Sequence, residues 1–223
     1  MRGYGAARNA GSRVSRATGL ALFCIAAALC IVWTLAAGKD VNWDQLNYHY
    51  YLPYEWLGGR LAQDYFAASG QSYLNPVGYL PFYLMVSAGW HSVVVSAVLA
   101  AVHSLNLVLL YLIAWRLFAE HPARERHVLC ALAVALGASS AIFWATVGSS
   151  FIDPLLCVPM LAGLLLLLEP DPSRATRRAL AAGLLFGAAA AYWAEESDSK
   201  IYSSGVVNNL TGLPIVAVLS ERM

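Results

Sequence analysis

A polytopic bundle of transmembrane α-helices is the fold class this sequence predicts, and three observations predict it. Hydrophobic residues make up 59% of the 223-residue chain, and charged residues only 12%, about half the share usual in a soluble domain. Mean hydropathy is +0.58. The apolar residues are gathered into long runs, separated by short basic or aromatic segments. An external loop with short interfacial helices is expected after the first span. The net charge of +1 gives no electrostatic footprint for a nucleic-acid partner.

The first element is a span over 17–38. Arg2, Arg8, Arg13 and Arg16 lie ahead of or at its start, with no acid among them. A secretory signal with "LAAG" as its cleavage site is the alternative. The charge-free run outlasts the apolar part of such a signal and can cross about 30 Å of hydrocarbon, so an uncleaved span is preferred. A polar, aromatic loop occupies 39–76. The apolar stretch 77–90 is too short to span and starts at "NP", so it is read as an interfacial helix. Further spans are expected over 92–118, 128–147, 149–168 and 179–193. Together these elements make residues 1–193 one membrane domain.

Basic residues set the orientation. Arg116, Arg124 and Arg126 lie in one connection, and Arg174, Arg177 and Arg178 in another. The loop 39–76 has only Lys39 and Arg60 against four acids, and "GSSFIDP" has no base. The basic segments, the N-terminus included, are therefore expected in the cytoplasm, with the loop and the "FIDP" turn on the opposite face. Residues 194–223 lose the leucine and alanine texture of the spans, which points to a tail foreign to the fold, through truncation or a frameshift. Cys24, Cys30, Cys130 and Cys157 all lie in apolar runs without metal-ligand spacing, so they read as small hydrophobes.

Chemistry concentrates in "NWDQLNYHYYLPYEWLGGRLAQD". Asp44 follows the first span closely, where a carboxylate meets both water and a bound headgroup. Trp43, Tyr48, His49, Tyr50 and Tyr51 form an aromatic cluster around it. Such rings suit the C–H face of a sugar, and they equally suit a membrane interface. Arg60 could hold a phosphate through its planar fork, or pair with Asp64 at i,i+4. Asp153, before Pro154, is a natural N-cap. It also falls on the same expected face as Asp44, and the two could form a joint site. His103 and Asn106 share a helix face within a span, where hydrogen bonding between helices is the preferred reading.

A first span, an acid opening an external loop, "NYHYYLPYEWLGGRL", "NPVGYLPFYLM", "YLIAWRLFAEHPARER" and "FIDP" together resemble the GT-C glycosyltransferases. Protein O-mannosyltransferases and the bacterial enzymes that add aminoarabinose to lipid A belong to that group. The resemblance covers residue 17 to about residue 190. It implies a polyprenyl-phosphate-linked sugar as donor, an extracytoplasmic acceptor and a bacterial inner membrane location. It aligns Asp44 with the essential acid of the first external loop and Asp153 with the second. Many relatives carry an acidic pair at the first position, whereas Gln45 follows Asp44 here. Relatives are longer and have more spans, so the chain corresponds to their N-terminal part.

On this reading Asp44 is the general base that deprotonates the acceptor hydroxyl. Asp153 orients the acceptor, or joins Asp44 in holding Mg²⁺ or Mn²⁺ if a divalent cation is used. Arg60 or Lys39 contacts the leaving phosphate, and Tyr48, His49 and Tyr51 line the sugar. No resident cofactor is otherwise implied. The alternatives are a polytopic transporter or lipid flippase, and a non-catalytic fragment. A transporter would show polar or broken helices at the bilayer midplane.

Overall fold

The computed structural model describes residues 14–38, 40–60, 63–64, 68, 71–72, 74–168 and 172–196, and among these all regular structure is helical. Helix α1 (Arg16–Ala37) takes up the first apolar run. Ser15 caps it by accepting from Thr18 N at 3.1 Å. It stops at Gly38, whose φ of 94° breaks the helix. A π-helical turn (Gln45–His49) leads into the short α2 (Tyr51–Leu57). The stretch expected as one interfacial helix over 77–90 is a 3₁₀ turn (Pro76–Tyr79) followed by α3 (Leu80–Ser87). Asn75 caps the 3₁₀ turn and Pro76 opens it, so the tighter winding begins at the proline.

Helices α4 (Ser92–His103) and α5 (Leu105–Leu117) form one near-continuous apolar rod, interrupted only at Ser104. The rod runs for 26 residues and α1 for 22; both are long and apolar enough to cross a membrane. The run 128–147, expected as one span, is divided. Helix α6 (Ala123–Gly137) ends before Ser139 and Ser140, and α7 (Ala141–Thr146) restarts after them. The serines cause the break by offering the backbone other partners. Ser139 Oγ donates to Leu136 O at 2.6 Å, Ser140 Oγ caps α7, and Trp144 Nε1 donates to the freed Ala138 O at 2.6 Å. Helix α8 (Asp153–Leu167) starts later than the 149–168 expectation, and its cap is Ile152 rather than Asp153. Helix α9 (Ala175–Glu196) extends beyond the expected 179–193 at both ends. The tail from residue 197 lies outside the described residues, as do Arg2, Arg8 and Arg13.

Helix α1 packs on α4, α5 packs on α6 and α8, and α8 packs on α9. Ala26, Cys30 and Ala100, all small and buried, let α1 and α4 approach closely. A β-carbon on Gly163 would lie 2.9 Å from the Phe186 ring, so α8 and α9 also need a small residue at their contact. The four cysteines are free thiols, Cys30 and Cys130 buried, Cys24 and Cys157 exposed. Large apolar side chains face outward along α1 (Leu20, Ile25, Leu29, Val32), α6 (Val128, Leu132, Leu136) and α9 (Leu180, Leu184). Exposed apolar surface on this scale needs a partner other than water.

Two polar groups within the rod serve its packing. Asn106 Nδ2 donates to Pro154 O on α8 at 2.7 Å and to His103 O at 3.0 Å. His103 Nδ1 accepts from Gly148 N at 3.2 Å. Gly148 has φ of 75°, and a β-carbon there would overlap the Thr34 side chain. Thr34 Oγ1 in turn donates to Val147 O at 3.2 Å. The turn after α7 is thus held from two sides, by α1 and by α4.

Candidate functional site

A cavity of about 540 Å³ opens where α1 ends, within the size range of small-molecule sites. Leu35, Phe82, Val86, Val93 and Leu99 give it apolar walls, with the Tyr50 and Trp90 rings beside them. Thr34, Asp40, Gln45, Ser96 and Ser150 supply its polar surface. The apolar walls come from helices and the polar corner from the chain just past them, because α1 breaks at Gly38 and the backbone turns across the helix end.

Asp40 organises that corner. Its Oδ2 accepts from Ser150 N at 2.9 Å and from Ser150 Oγ at 3.0 Å. Its Oδ1 accepts from Asn42 Nδ2 and, at 3.4 Å, from Asn42 N. With its amide nitrogen turned to the carboxylate, Gln45 donates to Oδ2 at 2.7 Å. A carboxylate has about four lone-pair positions, so these donors occupy it. Asp40 ties the first loop to the turn before α8, across a sequence separation of 110. Behind Ser150 lies His49, 0% exposed, its Nδ1 2.7 Å from Ser150 Oγ. Tyr79 stacks on the imidazole at 4.5 Å, and Tyr48 and Phe151 meet it edge-on. Burial lowers the His49 pKa to about 4, outweighing the pull of the Asp44 and Asp40 charges in the other direction.

The residues read from the sequence divide into three groups. His49 belongs to the corner, and Tyr48 packs against it. Asp44 stands at the start of the π-turn, beside the cavity-lining Gln45. It is half-buried, and its carboxylate has no hydrogen-bond partner among the described residues. Asp153 lies exposed in the first turn of α8. Tyr51 and Arg60 belong to a separate cluster. Arg60 Nη2 donates to Asp64 Oδ1 at 2.7 Å and Nε donates to Oδ2, so the guanidinium fork is engaged by its i,i+4 partner. That hydrogen bond lowers the Asp64 pKa and raises that of Arg60. Tyr51 Oη donates to Asp64 O at 3.3 Å, and burial, then the Glu55 and Asp64 charges, push its pKa up. Lys39 lies outside the described residues. Among those residues, no three His, Cys, Asp or Glu side chains come together as metal ligands.

Sequence reasoning missed Asp40, Ser150 and Glu55. Glu55 is only 2% exposed, its Oε1 has no partner among the described residues, and burial raises its pKa. No protein-family description, curated protein or solved structure matches the chain.

Proposed function

We propose that the chain is a membrane glycosyltransferase of the GT-C type, moving a sugar from a polyprenyl phosphate to an extracytoplasmic acceptor. In this reading the helices form a polytopic bundle in a bacterial inner membrane, with the N-terminus in the cytoplasm. The observation that carries the proposal is the cavity at the end of α1. Its apolar walls suit a lipid chain, and its aromatic and hydrogen-bonding surface suits a sugar. Residues 40 and 150 meet there, so the first loop and the segment before Asp153 serve one end of the bundle.

The sugar on a lipid phosphate already has a good leaving group. What remains is to take a proton from the acceptor hydroxyl and to steady the departing phosphate. Asp40 is occupied by donors, whereas Asp44 has no hydrogen-bond partner among the described residues and takes the role of base. Asp153, exposed at the mouth of α8, orients the acceptor. Arg60 is committed to Asp64, so the phosphate contact falls to Lys39, which lies between Gly38 and Asp40 in the sequence. His103 and Asn106 are engaged in helix packing, which disfavours a midplane transport site.

The test is transfer of radiolabelled sugar from a polyprenyl phosphate to membrane acceptors, with the chain in native membranes. Wild-type chain should transfer and Asp44→Asn should lose at least about 100-fold, the usual contribution of a general base. Equal rates for the two would remove Asp44 from the mechanism, and no transfer by wild type would refute the reading. A phosphatase fused after residue 123 should be inactive, since that connection is cytoplasmic here.

A further inference from the structure

The direction of the hydrogen bonds in the polar corner follows from counting protons. Both oxygens of Asp40 face N–H donors, from Ser150 N on one side and Asn42 N and Nδ2 on the other. That is the arrangement of a carboxylate, which has no proton to give. Ser150 Oγ, 3.0 Å from Oδ2, therefore spends its single proton on Asp40. Toward His49 the same Oγ offers only lone pairs. His49 Nδ1, 2.7 Å away, must then carry the imidazole proton. Nε2 is left as a bare lone pair, buried and without a partner among the described residues, between the rings of Tyr48, Tyr79 and Phe151.

We propose that His49 and Ser150 are positioning residues of the cavity, and that the chain His49 Nδ1–H to Ser150 Oγ–H to Asp40 fixes the corner where the sugar headgroup binds. The inference rests on the reading of the cavity as a lipid-linked sugar site. Ser150 lines the cavity, and His49 acts through it. A chain of aligned donors strengthens each of its bonds. Here it ends on a carboxylate that also receives Gln45, so the side chains presented to a ligand have one arrangement. Burial keeps His49 neutral near pH 7, as a single-proton donor must be.

The test uses the full chain in nanodiscs and a brominated short-chain alkyl glucoside, whose binding is read as quenching of tryptophan fluorescence, Trp90 being in the cavity wall. Ser150→Ala should weaken binding roughly 10-fold, as loss of a hydrogen bond to a charged group does. His49→Phe, which keeps an aromatic ring but no donor, should weaken it similarly. Ser150→Thr and His49→Asn should restore wild-type affinity, because Thr keeps the hydroxyl and the Asn amide nitrogen falls near the Nδ1 position. A second readout is free of ligand. In the wild-type chain the ¹⁵N signals of the His49 imidazole should be those of the neutral Nδ1–H tautomer.

Wild-type binding with unchanged affinity in Ser150→Ala and His49→Phe would overturn the positioning role and leave the sugar site standing. Failure of the Thr and Asn variants to restore affinity would do the same, by showing that packing and not the donor matters. A wild-type His49 that carries its proton on Nε2 would overturn the direction of the chain. Wild type that binds no glucoside would overturn the sugar site itself and the positioning role with it.

Discussion

His49 and His103 are both sealed from solvent, and both grip the same turn, but from opposite chemical positions. His103 Nδ1 accepts the Gly148 N–H. A backbone amide is always a donor, so that nitrogen carries no proton. His49 Nδ1 meets the Ser150 hydroxyl, which Asp40 has already claimed, so that nitrogen is the donor. The two imidazoles thus contact one turn at Gly148 and Ser150, two residues apart, in opposite tautomers. The difference teaches how each is fixed. A peptide group sets His103, and nothing short of moving the backbone changes it. A side-chain carboxylate sets His49, and a substitution at residue 40 that removes this acceptor frees the Ser150 hydroxyl and with it the imidazole. The first is a staple of the fold and the second a part of the site.

The largest expected effect removes both grips at once. Gly148→Ala must adopt a strained positive φ and push its methyl against Thr34. Strain and overpacking together should cost roughly 2–6 kcal/mol, enough to lose most folded protein in a detergent thermal-unfolding assay. A wild-type midpoint would mean the turn is not held as described.

Acid should reach His49 next. Burial holds the folded His49 pKa at about 4 against 6.5 for the ordinary side chain. The unfolded chain therefore takes up the proton first as pH falls. Stability from His49 is complete above about pH 6.5, declines as pH drops toward about 4, and levels off below; the loss is on the order of 3 kcal/mol. His49→Phe should remove this part of the pH dependence, and an identical pH profile in that variant would assign the titration elsewhere.

At neutral pH the same replacement should rank the two positions. His103→Phe leaves the buried Gly148 N–H without its acceptor, which costs about 1–3 kcal/mol. His49→Phe leaves Ser150 still bonded to Asp40, so it loses only a net hydrogen bond of about 1 kcal/mol. Urea midpoints should follow that order, and the reverse order would contradict the assignment of staple and site.

How much of this was legible in the sequence depended on the distance over which each contact acts. The all-helical character follows from composition, and the first membrane-length helix from its unbroken apolar run. Arg60 and Asp64, four apart, form the ion pair that their spacing suggested. Asn106 bonds to a neighbouring helix, as an intramembrane amide was expected to. The break at Ser139 and Ser140 was written in the chain, but a count of apolar residues across 128–147 passed over it. Asp40 stayed hidden because nothing local distinguishes it from the other loop acids. Its meaning comes from Ser150, which sits 110 residues away. The one available hint was "GSS" between two apolar runs, a glycine and two serines where a span would otherwise continue. Glu55 was hidden differently: it lies in an aromatic, loop-like stretch, and only the packing of α2 buries it.

The most direct test of this account is a ¹⁵N spectrum of the wild-type chain with both ring nitrogens of histidine labelled, the two buried residues being assigned by His49→Asn and His103→Phe. At pH 7 the account predicts two neutral imidazoles of opposite kind, His49 protonated on Nδ1 and His103 on Nε2. A spectrum in which both carry the proton on the same nitrogen, or in which His49 is a cation, would contradict it.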